Sequence, residues 1–230
     1  MKSKLLIEQI ICSNYIKYDK LTQIINEAFS GSNKEDIHIY IDLYSIFNKL
    51  YSNNYFIEDY STVTSCIINM CAHYREFFKT RYQCNTKFFI IYSNNTPYIN
   101  NQLVPEYNKK YKETIENNSK IYEMIRENCS LLETICPYLP DIYYLETSFE
   151  TGVMIFDIMS KYDQKNEKVH IIISRDVYLY QLILYKPDTI ILRPKKYKSE
   201  DISYYINLKN VILEYYKYKK WKHNFPEVFP

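Results

Sequence analysis

Three acidic residues, Asp42, Glu150 and Asp176, stand where a carboxylate could act on a ligand. Asp42 sits at the end of IHIYIDL (residues 37–43), and Asp176 follows the apolar run 169–173 inside KVHIIISRDVYLYQL. Apolar runs of that length read as strands buried on both faces, as parallel strands usually are. The carboxyl ends of such strands are where open α/β sheets place their ligands. Glu150 falls in the first turn of a helix predicted over 149–162, with Asp157 two turns on and nearly on the same face. Carboxylates brought together in this way hold divalent cations, and magnesium needs only one or two of them besides waters and substrate phosphates. Each acid also has a plain structural reading, because Asp and Ser are favoured as helix N-caps and a helical pattern follows both strands. On sequence alone both readings stand.

The elements that would position these acids alternate along the chain. Residues 37–43, 87–92, 142–145, 169–173 and 189–192 read as strands. Between them lie helical patterns over 62–81, 113–132 and 149–162, and a further one after Asp176. In the helix over 62–81, Val63, Ile67, Met70, Tyr74 and Phe77/Phe78 recur every three or four residues. In the helix over 149–162, Val153, Phe156 and Ile158/Met159 are expected to turn inward. His73 has no second ligand type beside it and reads as a surface or packing residue. Alternation of this kind predicts a three-layer α/β fold around a mainly parallel, five-stranded sheet. The expected organisation is a helical N-terminal appendage (1–36), an α/β core (37–192) and a basic, tyrosine-rich C-terminal helix and tail (193–230).

Composition narrows the function. The net charge is +2, so any nucleic-acid footprint has to be local. The C-terminal stretches RPKKYK and YYKYKKWK offer one, with Lys195 and Lys196 as phosphate contacts, or else they are solvated lysines on a helix whose rings pack inward. With 2 glycines in 230 residues, no glycine-rich phosphate loop can be built, which argues against P-loop NTPases and Rossmann dinucleotide enzymes. The 6 cysteines form no CxxC pair, and the start of the sequence reads as no signal peptide, so reduced thiols in a cytoplasmic setting are expected. No apolar run reaches the roughly 20 residues of a membrane span. The 27 tyrosines, with abundant Ile, Asn and Lys, match A/T-rich codons and hence a viral or phage source, with a virus particle as the other location.

Five segments, in order, resemble the flap endonuclease/5′-exonuclease family and the wider group of PIN-like nucleases. IYIDLYSIF is similar to that family's first strand, with Asp42 at its leading catalytic aspartate and Leu43 where a glycine is usual. KFFIIYSNN is similar to the second strand, with Tyr92, Ser93 and Asn94 in place of phenylalanine–aspartate–glycine. VPEYNKKY, with Lys109 and Lys110, resembles the segment that leads to the arch over the active site. SFETGVM keeps Glu150 but has Gly152 and Val153 where further acids belong. SRDVYLYQL keeps Asp176 and Gln181, while Tyr178 replaces a second aspartate. The resemblance spans about residues 37–192, and the family's glycine-rich duplex-binding module has no counterpart beyond it.

The resemblance implies a catalytic and metal-binding set of Asp42, Glu150 and Asp176, with Mg2+ or Mn2+ as cofactor; Lys109 and Lys110, together with Lys195 and Lys196 of the basic tail beyond it, are the candidate nucleic-acid contacts. Family enzymes hold two ions among about half a dozen carboxylates, so the acids missing at Ser93, Gly152 and Tyr178 leave at most one. Asp157 or Glu146 would have to move in to replace them. Two functions follow as expectations. One is a nuclease-fold protein without catalysis, an interaction module with protein partners in a virus particle or a nucleic-acid-handling assembly. The other is a divergent metal-dependent nuclease cleaving DNA or RNA.

Overall fold

The computed structural model describes residues 26, 36–52, 61–94, 119–163, 168–174, 179–186, 189–193 and 204–206. The elements in chain order are β1 (Asp36–Asp42), α1 (Leu43–Ser52), α2 (Ser61–Tyr82), β2 (Asn85–Ser93), α3 (Ser119–Ile135) and a 3-10 turn (Cys136–Tyr138). There follow β3 (Ile142–Thr147), α4 (Thr151–Tyr162), β4 (Lys168–Ile173), α5 (Tyr180–Tyr185), β5 (Thr189–Arg193) and β6 (Tyr204–Ile206). The strand order is β3-β2-β1-β4-β5-β6. The first five strands run parallel, as the alternation predicts, and β6 joins the β5 edge antiparallel. That sixth strand lies where the sequence led us to expect helix and tail; apart from Arg193 in β5, the remainder of 193–230 lies outside the described residues. So does the N-terminal appendage, Asn26 and Asp36 excepted.

Parallel strands need long crossovers, and these place helices on both faces of the sheet. Alternation along each strand then sends neighbouring side chains into different layers. On β1, Ile37, Ile39 and Ile41 enter a core with residues of α1, α2 and α3, including Phe47, Ile67, Phe78 and Leu132. Tyr40 of the same strand enters a second core with Phe89 and Ile172 of the sheet and Ile155, Ile158, Met159 and Leu182 of α4 and α5. Burying side chains of this size stabilises by about 1.5–3 kcal/mol each.

Local features hold the helices in register with the sheet. All the apolar positions read from the spacing of α2 are buried. Lys79 and Arg81 suit the negative end of that helix dipole, and Gln83, with φ 55°, turns the chain left-handed while its N–H reaches the Lys79 carbonyl. Buried Asn128 of α3 donates to the Met124 carbonyl (2.8 Å) and accepts from the Thr64 hydroxyl of α2 (2.7 Å). His73 is exposed, as a surface residue. Cys66, Cys71, Cys84, Cys129 and Cys136 are buried thiols, all in the α1–α3 layer.

Helix α4 departs from the expected face. Ile155, Ile158 and Met159 point inward, whereas Val153 is 50% and Phe156 42% exposed. Apolar residues surround this helix on several sides, so periodicity offered two inward faces. Phe156 packs instead against Tyr185, their ring centroids 4.6 Å apart.

Candidate functional site at the sheet rim

The strand order reverses direction between β1 and β4, and the crevice at such a point is where doubly wound folds bind ligands. Asp42 closes β1 at that place and is 4% exposed. Its Oδ2 accepts two hydroxyl hydrogen bonds of 2.6 Å, from Ser45 in the first turn of α1 and Ser174 at the end of β4. The two hydroxyl oxygens lie 3.1 Å apart. Its Oδ1 is 3.4 Å from the Ser45 backbone nitrogen, the place of a helix N-cap acceptor. The plain reading of Asp42 is therefore realised in the fold, and the carboxylate also ties β1 to β4. Hydrogen bonds this short to an ionised acceptor are among the stronger polar contacts in proteins.

Glu150 reaches the same rim by another route. It precedes α4, and its backbone carbonyl accepts from the amides of Val153 and Met154. Its side chain is exposed and makes no capping bond. β3 lies two strands from β1, so about 10 Å separates the strand that feeds Glu150 from the one that ends in Asp42. Asp176, Lys109, Lys110, Lys195 and Lys196 lie outside the described residues, as does Tyr178.

Two of the positions where the resemblance calls for more acids, Ser93 and Gly152, are occupied by other work. The Ser93 hydroxyl donates to the Phe149 carbonyl at 2.8 Å and fastens β2 to the segment leading into α4. Gly152 faces α5 so closely that a Cβ there would lie 2.9 Å from Leu179 Cδ2. A carboxylate has no room at that position unless Leu179 moves. Asp157 pairs with Lys161 at 2.7 Å on the outer side of α4. Glu146 faces the α3 layer, where it accepts from Asn94 Nδ2 (2.8 Å) and the Tyr144 hydroxyl (3.3 Å). There it lines a cavity of about 680 Å³ with Tyr92, Glu123 and Arg126. Burial first, then Cys129 and Glu146, raise the Tyr144 phenol well above its ordinary value, so it remains a donor. Neither Asp157 nor Glu146 replaces a missing acid. Among the described residues no three His, Cys, Asp or Glu side chains gather as metal ligands.

Sequence reasoning missed a second polar cluster, on the α4–α5 face behind the rim: His38, Tyr40, His170, Asp163 and Lys186. The signal was present, since a histidine in the middle of each of two otherwise apolar strands must find a partner when buried.

The described chain is thus a three-layer α/β protein with its one buried strand-end carboxylate at the switch point of a 3-2-1-4-5 parallel sheet. Two solved structures are similar to it. The zinc-bound T5 5′-exonuclease is 15% identical over 71% of this chain and 58% of that one, with a TM-score of 0.48. A bacteriophage T5 flap endonuclease variant, in a pseudo-enzyme–product complex with DNA and metal ions, is 14% identical over 68% and 54%, with a TM-score of 0.44. The chain spans little more than half the length of these two proteins. No family model and no curated protein sequence matches it. Among the described residues no helix is long and apolar enough to cross a membrane.

Proposed function

We propose that this protein keeps a 5′-nuclease-like fold with a depleted metal site and acts as a non-catalytic interaction module. Its setting would be a virus particle or a nucleic-acid-handling assembly, with protein partners and contact with nucleic acid through Lys109, Lys110, Lys195 and Lys196. The observation that carries the reading is the state of Asp42. Its Oδ2 already accepts two 2.6 Å hydroxyl bonds from Ser45 and Ser174 in a site almost closed to water. A cation at Oδ2 would have to displace hydroxyls that also hold β1, α1 and β4 together. Ser93 and Gly152 support it further, because each is committed to packing where a second ion would need a carboxylate.

The competing reading, a divergent Mg2+- or Mn2+-dependent nuclease, draws on the exposed, uncapped side chain of Glu150 at the rim. Cleavage of single-stranded DNA, flapped DNA and RNA with each metal separates the two. We expect the wild type, Asp42→Asn and Asp176→Asn to be equally inactive, and assembly with protein partners to survive both substitutions. Metal-dependent cleavage that either substitution abolishes would replace this reading with the nuclease.

A further inference from the structure

The sheet face beneath α4 and α5 carries titratable groups in its interior. His38 of β1 and His170 of β4 are register partners, with ring centroids 5.8 Å apart. The Tyr40 hydroxyl lies 3.1 Å from His170 Nδ1 and 3.5 Å from His38 Nδ1. His170 Nε2 is 2.9 Å from Asp163 Oδ2. Lys186 donates to the Asp163 carbonyl at 2.6 Å and lies 3.4 Å from its Oδ2. Asp163 ends α4 and Lys186 ends α5, so this buried network fastens the carboxyl ends of both helices to the two central strands.

The two rings are not equivalent. His170 has a carboxylate beside it. His38 is 1% exposed, and its Nε2 has no partner among the described residues. The Phe89 ring of β2 lies edge-on, 5.3 Å away. The charged groups around His38 are Lys87 from β2, Lys168 and His170 from β4, and Asp36 from β1, while the α4–α5 side brings Asp163 and Lys186 through His170. Burial foremost, then His170, Lys168 and Lys87, lower the His38 pKa to about 3, and Asp36 opposes them weakly. The α1–α3 face differs. Among the described residues its buried polar groups are thiols, threonines, Ser45, Asn128 and Tyr74, none of which changes charge on mild acidification.

We propose that the His38–His170 pair is an acid-operated release for the α4–α5 layer: a proton is taken up when that layer lifts from the sheet, while the α1–α3 layer stays packed. The sign follows from the direction of the shift. Neutral His38 stabilises the closed layer fully above pH 6.5, the ordinary histidine value, and the advantage is lost as pH falls from 6.5 towards 3. Glu150 leads into α4, and the Gly152–Leu179 contact joins the amino ends of α4 and α5, so release also moves one side of the rim. The inference rests on packing and holds whether or not the rim is catalytic.

The test is peptide-resolved hydrogen exchange on the full chain between pH 7.5 and 5.0, corrected for intrinsic rates, with parallel labelling of thiols by an acid-competent disulfide reagent. One proton taken up per opening predicts that exchange in residues 151–162 and 180–185 rises up to tenfold per pH unit below 6.5. Exchange in 61–82 and labelling of Cys66, Cys71 and Cys129 should stay unchanged. His38→Leu and His38→Gln, one apolar and one polar but uncharged, should each flatten that rise at least tenfold at pH 5. Three results would overturn the proposal: pH-independent exchange of α4 and α5 in the wild type, an unaltered rise in the variants, or thiols that become reactive in step with α4. The wild-type measurements decide on their own if neither variant folds.

Discussion

The two faces of the sheet are built by opposite means. Towards α1, α2 and α3 it presents isoleucines, Val169, Phe88 and Leu192 to a dry layer holding five thiols. Towards α4 and α5 the same strands present His38, Tyr40 and His170, which form a buried polar network with Asp163 and Lys186, while at the rim Asp42 and Ser174 reach across to Ser45 of α1. Apolar packing is roughly additive and insensitive to pH. A buried polar network depends on every member and on protonation. One layer therefore anchors the fold, and the other is conditional.

Substitutions can break or sharpen this contrast. The largest effect is expected in the dry layer, where Phe78→Ala should lower the unfolding free energy by about 3–5 kcal/mol at every pH, read by urea denaturation. If the loss varied strongly between pH 5 and 8, the dry layer would not be the pH-independent one. Asp163→Ala should lower stability by about 3 kcal/mol, since it strands His170 and Lys186 in the interior. Adding His170→Leu and Lys186→Met should restore most of that, because apolar groups of similar volume often match a buried charged set. A triple variant no better than Asp163→Ala would show that the network contributes net stability. Asp42→Asn keeps an acceptor but loses the charge, and should cost about 1–2 kcal/mol by the same measurement. Gly152→Ala comes last, within about 1 kcal/mol of wild type. The helix preference for Ala over Gly offsets the displacement of the Leu179 methyl. A large loss there would mean that the α4–α5 contact is as rigid as the dry layer.

Much of this architecture could be read from the chain. The β1, β2, β4 and β5 runs are apolar enough to demand burial, and the helical spacing of α2 is unambiguous, so the parallel sheet and its layers followed. Helix α4 was misread because Val153, Phe156, Ile155 and Ile158 together mark more than one side, and only packing against Leu179 and Leu182 selects the inner one. β6 escaped because three residues, Tyr204–Ile206, carry too little pattern to stand out in a tyrosine-rich stretch. At the rim, Asp42 was legible as a strand-end carboxylate. Its two serine partners were not, since Ser174 is 132 residues away and nothing local announces it. The histidine pair was hidden similarly, in two strands that meet only in the fold.

That separation of 132 residues has a consequence for biosynthesis. β1 is among the earliest of these strands to leave the ribosome, yet one of its two hydrogen-bonding edges must wait for β4. At about 5–20 residues per second, the open edge persists for roughly 7–26 s. During that interval a hydrophobic ribbon is available to neighbouring nascent chains. Growth temperature and holding chaperones should therefore govern the yield of soluble protein more than its final stability does.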